Sequence, residues 1–141
     1  MKKFISHSEK ETKDLAKKLA KNLTGVIALT GELGAGKTIF VQGFAEGLGI
    51  KDKIISPTFV LIRQHKIPKS SRMLYHIDLY RLEDFAELGL QEITEDPNNI
   101  VLIEWAEKLK ELPKNTIKIS IQKQDNKQSL LLRNKRIIIL S

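Results

Sequence analysis

The chain has 141 residues with no cysteine, 41% hydrophobic and 29% charged residues, and a formal net charge of +7. That length suits one domain spanning residues 1–141 around one hydrophobic core, and the lack of cysteine excludes disulfides, thiolate zinc sites and cysteine nucleophiles. The lysines are scattered and form no basic block, so the positive charge reads as solvated lysines rather than as a nucleic-acid footprint.

The start, Met1-Lys2-Lys3-Phe4-Ile5-Ser6, carries two lysines with no apolar run behind them, so it does not read as a signal peptide. No stretch is apolar for long enough to cross a bilayer, and a cytoplasmic protein with no membrane partner is expected. Ser8-Glu9-Lys10-Glu11 reads as a capping box that opens a helix. Leu15, Leu19 and Leu23 recur every fourth position and mark one face of it. Asn22 to Gly25 ends it. Val26-Ile27-Ala28-Leu29 is a continuous apolar run, as expected of a buried parallel strand. A glycine-rich turn follows, and then Phe40, Val41, Phe44 and Leu48 at helical spacing, ended by Gly47 and Gly49.

Ser56-Pro57-Thr58-Phe59 reads as a turn leading into a strand at Val60-Leu61-Ile62-Arg63. After a polar loop from Pro68 to Ser71, Met73 to Tyr80 alternates as a second strand, and the two pair as a hairpin. Leu82 to Leu90 predicts a short helix and Asp96 to Asn99 a turn. Ile100-Val101-Leu102-Ile103 is a second continuous apolar run, with Glu104-Trp105 at its end. Ala106 to Leu112 predicts a helix, and Ile117–Ile121, Leu130–Leu132 and Ile137–Leu140 predict three strands. The expected fold is α/β, a P-loop-like mixed sheet flanked by helices with a β-rich C-terminal end.

The segment Gly31-Glu32-Leu33-Gly34-Ala35-Gly36-Lys37-Thr38 fits G-x-x-x-x-G-K-[ST] at every fixed position. Its glycines allow a loop whose backbone N–H groups converge on phosphate oxygens, and the helix behind it aims its positive end at the same place. Lys37 supplies a mobile charge for the β- and γ-phosphates, and Thr38 offers a hydroxyl to a metal. An apolar strand before the loop and an amphipathic helix after it give the expected context. ATP with Mg²⁺ is the expected ligand. A second metal partner normally comes from a carboxylate at the end of an apolar strand. Glu104 and Asp78 both qualify, because both lie at strand ends, where open α/β sheets bind their ligands. Glu104 ends the more strongly buried strand, which is expected to neighbour the strand before the loop. His76 shares a strand face with Asp78 and reads as a ligand, a base or a structural histidine. Trp105 reads either as a nucleotide neighbour or as core. Ser56-Pro57-Thr58 reads either as a switch loop or as a turn.

Guanine recognition by N-K-x-D is missing, since Asn126-Lys127-Gln128-Ser129 and Asn134-Lys135-Arg136-Ile137 lack the aspartate. Arg63, Arg72 and Arg81 are too dispersed for the arginine-rich lid of a small-molecule kinase. The combination of the glycine-rich loop, Ser56-Pro57-Thr58-Phe59, His76-Ile77-Asp78-Leu79-Tyr80-Arg81 and Glu104-Trp105 resembles the TsaE family, bacterial ATPases needed to make threonylcarbamoyladenosine in tRNA. The resemblance covers roughly residues 5 to 121. It implies that Lys37 and the backbone of Glu32, Leu33, Gly34, Ala35, Gly36 and Thr38 hold the triphosphate, and that Thr38 and Glu104 hold Mg²⁺. It implies that Asp78 positions water or stands behind the metal, that Trp105 lies beside the nucleotide, and that Glu9 and Thr12 approach the adenine. The implied partners are TsaB and TsaD, with tRNA reached through their complex. The alternatives are a nucleotide-gated scaffolding module and a small-molecule kinase. No residue of the tail from Gln122 to Ser141 is assigned to the site.

Overall fold

The computed structural model describes residues 1–32, 34–54, 62–80, 89–124 and 135–141. In chain order the elements are β1 (Lys2–Ser6), α1 (Glu9–Ala20), β2 (Gly25–Thr30), α2 (Lys37–Gly47), β3 (Ile62–Lys66), β4 (Met73–Asp78), α3 (Leu90–Glu95), β5 (Asn99–Glu104), β6 (Ile117–Gln124) and β7 (Lys135–Leu140). The strands form one seven-stranded sheet in the order β1-β7-β6-β2-β5-β4-β3. The four strands β6, β2, β5 and β4 run parallel; β7 pairs antiparallel with β6, β3 antiparallel with β4, and β1 antiparallel with β7.

The two continuous apolar runs lie at the centre of this sheet because both of their faces are covered. Ile27, Leu29, Ile100 and Leu102 point to one side, where Phe40, Val41 and Phe44 of α2 and Ala16 of α1 meet them. Val26, Ala28, Val101 and Ile103 point to the other side, beneath Leu79, Ala106 and the half-buried Leu90, Ile93, Leu109 and Leu112. Phe40 and Phe44 are wholly buried, and each contributes about 1.5–3 kcal/mol relative to an exposed position.

α1 opens as a capped helix. Ser8 Oγ accepts from the Glu11 N–H at 3.0 Å, and the Glu11 carboxylate accepts from the His7 N–H at 2.6 Å, one residue before the N-cap. The leucine stripe lies at the flank of its buried face. Thr12, Ala16 and Ala20 are the fully buried positions, while Leu15 and Leu19 are half-buried. The reason is close approach to α2. A Cβ at Gly43 would lie 2.4 Å from the Lys13 carbonyl oxygen, and one at Gly47 would lie 2.6 Å from that of Lys17. Two ion pairs from Glu46, to Lys13 and to Lys17, both at 2.9 Å, lace the exposed edge of the same seam.

The hairpin of β3 with β4 forms as expected, with Ile62 opposite Ile77. Three elements differ from expectation. β1 carries no local strand signal, because its lysines mask an edge strand that pairs with β7 at Phe4 opposite Ile138. Residues 106–112 form only a three-residue 3₁₀ turn, Ala106–Lys108, rather than a helix. Leu109 is extended there, Leu109 and Leu112 both pack on the core, and Pro113 disfavours a helical conformation at the residue before it. α3 begins where a helix was expected to end, and the span from Leu82 to Leu88 lies outside the described residues, as do Ser56 to Phe59 and Leu130 to Leu132. No helix among the described residues is long and apolar enough to cross a membrane.

Gly43→Ala tests the α1–α2 seam. A methyl driven against the Lys13 carbonyl should cost about 1–3 kcal/mol, more than the roughly 1 kcal/mol of helix propensity that alanine adds. The midpoint of urea unfolding should fall. A midpoint that rises would mean that the helices are not in this contact.

Candidate functional site

The Gly31–Thr38 loop joins the carboxyl end of β2 to the start of α2. Gly36 is the N-cap of α2 with φ of 110° and no side chain to cap the first turn, which also lacks an acidic residue. The amides of that turn and the positive end of the helix therefore favour an anion. Within the loop, the Ala35 N–H closes a turn on the Glu32 carbonyl at 3.1 Å. Glu32 and Gly34 are exposed, Ala35 is buried and Thr38 is half-buried, while Leu33 lies outside the described residues.

Lys37 is 6% exposed. Its Nζ donates to the Gly31 carbonyl at 2.7 Å and stands 3.8 Å from the centroid of the Trp105 ring. Burial lowers its pKa below the usual lysine value, and Glu104, Glu107 and Asp78 work against that lowering through their negative charge. The result is a desolvated ammonium with two protein partners and three carboxylates nearby.

Those carboxylates arrive by strand register. Glu104, the last residue of β5, is paired with Leu29 of β2 on one side and with Asp78 of β4 on the other. The expectation that the Glu104 strand neighbours the strand before the loop is met. Glu104 Oε2 lies 2.5 Å from His76 Nε2, with both side chains buried. His76 is thus a partner of Glu104 inside the sheet, whichever of its readings holds. Asp78 is also buried, and its Oδ1 accepts from the Tyr80 N–H at 2.9 Å. After Glu104 the backbone turns sharply. Trp105 adopts φ 60°, ψ 38°, a left-handed conformation that is rare for so bulky a residue. Its indole meets the Tyr80 ring at a centroid distance of 4.9 Å and lies over Lys37.

A cleft of about 760 Å³ lies beside the loop, between Trp105 and Glu107 on one side and residues 120–123 of β6 on the other. The structure thus gathers the loop, Lys37, Asp78, Glu104 and Trp105 at the carboxyl ends of β2, β5 and β4. Glu9 is exposed in the first turn of α1. Thr12 is fully buried, and its hydroxyl lies 2.7 Å from Ser6 Oγ, tying α1 to β1. One residue of the unassigned tail also reaches the loop. Arg136, buried on β7, donates from Nε to the Ala35 carbonyl at 3.0 Å. No local signal marks it, since its partner is 101 residues away in sequence.

A family model described as threonylcarbamoyl adenosine biosynthesis protein TsaE matches residues 6–134. A Bacillus subtilis protein named tRNA threonylcarbamoyladenosine biosynthesis protein TsaE is 42% identical over 125 residues, covering 86% of this chain and 77% of its own length. A Rickettsia prowazekii protein of the same name is 40% identical over 131 residues, covering 88% of each chain. The crystal structure of Bacillus subtilis YdiB superposes with a TM-score of 0.77 at 35% identity, covering 97% of this chain and 82% of that one.

The buried His76–Glu104 contact makes its own prediction. Replacing His76 by Leu leaves a buried carboxylate without this donor and should cost about 1.5–3 kcal/mol. Glu104→Gln in the same background should cost less than it does alone, because the two losses share one interaction. A double-mutant cycle by urea denaturation measures the coupling. Strictly additive effects would show that the two side chains do not interact.

Proposed function

The chain belongs to the TsaE family of threonylcarbamoyladenosine biosynthesis, and from that premise we propose that its part in the tRNA modification is Mg²⁺-dependent hydrolysis of ATP in support of a TsaB–TsaD complex. The observation that carries this reading is Lys37. A buried ammonium at a helix start, bonded to its own loop carbonyl, is a site built to exchange that carbonyl for a phosphate oxygen.

In this reading the loop from Glu32 to Thr38 cradles the phosphates, and Trp105 lies beside the nucleotide. Glu9 faces the adenine side, while Thr12 supports α1 through Ser6. The residues present fit Mg²⁺, which takes oxygen ligands and keeps several waters beside one or two carboxylates and phosphate oxygens. Thr38 and Glu104 would hold it, with His76 fixing one oxygen of Glu104. When bound, it supplies positive charge against the phosphate oxygens. Asp78 orients a water whose oxygen attacks the γ-phosphorus as the bond to the bridging oxygen breaks, releasing ADP and phosphate. Positioning and charge are the main catalytic means in such chemistry, and a charge supplied by a partner is worth about 10³–10⁵ in rate. Turnover by the isolated chain is therefore slow.

Two outcomes are expected. Lys37→Ala loses one charge-assisted contact, so calorimetry should show ATP affinity reduced about ten- to a hundredfold. A folded variant with unchanged affinity would remove Lys37 from the site. Phosphate release under single-turnover conditions should be slow alone and accelerated by purified TsaB and TsaD. Fast release alone that the pair leaves unchanged, or ATP consumption without matching phosphate, would favour a stand-alone phosphatase or a small-molecule kinase.

A further inference from the structure

Arg136 lies on β7, two strands away from β2 in the sheet, yet its Nε donates to the Ala35 carbonyl inside the glycine-rich loop at 3.0 Å. Two ladders fix its origin. On β7 it is paired with Ser6 of β1 and with Lys123 of β6. The residue it touches has little room. A Cβ at Gly36 would lie 2.9 Å from Arg136 Nε and 3.3 Å from its Cδ, and Gly36 already holds a φ of 110° that disfavours any other residue.

The consequence follows from the planarity of the peptide. The Ala35 carbonyl and the Gly36 N–H belong to one rigid unit and point in opposite directions. Holding the carbonyl toward β7 fixes the Gly36 N–H on the opposite side. We propose that Arg136 is a positioning residue for nucleotide binding: it locks the Ala35–Gly36 peptide so that the Gly36 N–H faces the phosphates before any ligand arrives. This inference rests on the nucleotide-binding reading above and adds a part of the site that lies outside residues 6–134 of the family match. Preorganised donors do not have to be turned at the moment of binding, which is the source of their advantage.

The chemistry of the side chain allows a clean test. Glutamine has a nitrogen at the same number of bonds from Cα as arginine Nε, so Arg136→Gln keeps a donor at that place and loses the charge and the terminal nitrogens, as Met does. Arg136→Lys keeps the charge and moves the donor one bond further out. Arg136→Met reaches as far as the Nε position and loses the donor. The affinity for ADP with magnesium is measured by titration calorimetry on each full-length variant, alongside its thermal midpoint without nucleotide. Positioning predicts near wild-type affinity for Gln and about tenfold weaker binding for Met and Lys. Wild-type affinity in Met or in Lys, whatever the thermal midpoint, would overturn the inference and leave Arg136 as a strut between strands or as a bare charge. If Met does not fold, the order of Gln and Lys decides: Gln tighter than Lys supports positioning, and Lys equal to or tighter than Gln overturns it. If the wild-type protein itself does not bind ADP with magnesium, the nucleotide-binding reading falls and this inference falls with it.

Discussion

Leu29, Glu104 and Asp78 stand side by side at the ends of three parallel strands, in one row of the β2-β5-β4 ladders. That row is the constraint on which the rest of the site depends. A slip of one residue in β5 would turn Glu104 to the opposite face and put an apolar residue in its place. The register is pinned by the buried polar ends of β5, where Asn99 donates to the Ile93 carbonyl and Glu104 meets His76. With the row fixed, the loop after β2 must emerge beside Glu104. The left-handed turn at Trp105 then folds the indole back over the lysine that starts α2.

Charge balance at that end of the strands explains why the residues belong together. Taking the Lys37 ammonium out of water is unfavourable unless something offsets it. The Gly31 carbonyl, the face of Trp105 and three carboxylates offset it in this structure. Glu104 in turn is a buried carboxylate steadied by His76. Each group is tolerable only because of the next, so the site is a coupled unit rather than a set of independent side chains. In the proposed function a triphosphate would present its oxygens to Lys37 and the amides of α2, and Mg²⁺ bound with it would answer the charge of Glu104.

How much of this was legible in the sequence depended on the range of the interaction. β2 and β5 were legible as uninterrupted apolar runs, because strands covered on both faces need no alternation. The loop was legible because its glycine and lysine spacing is local chemistry. β1 was not, since Lys2 and Lys3 face solvent and its partner strand lies at the other end of the chain. The 106–112 segment has a helical composition, but the core demands of Leu109 and Leu112 together with Pro113 outweigh it. The His76–Glu104 contact needed the pairing of β4 with β5 before it could be seen. Arg136 needed the whole sheet order, because nothing near it in sequence speaks of Ala35.

The most direct measurement is a structure of the protein crystallised with magnesium and a non-hydrolysable ATP analogue. The expected result places the phosphates within the Gly31–Thr38 loop, with Lys37 Nζ moved from the Gly31 carbonyl to a phosphate oxygen and Glu104 facing the metal. A nucleotide seated elsewhere, with Lys37 still bonded to Gly31 and the loop carrying no phosphate, would contradict it.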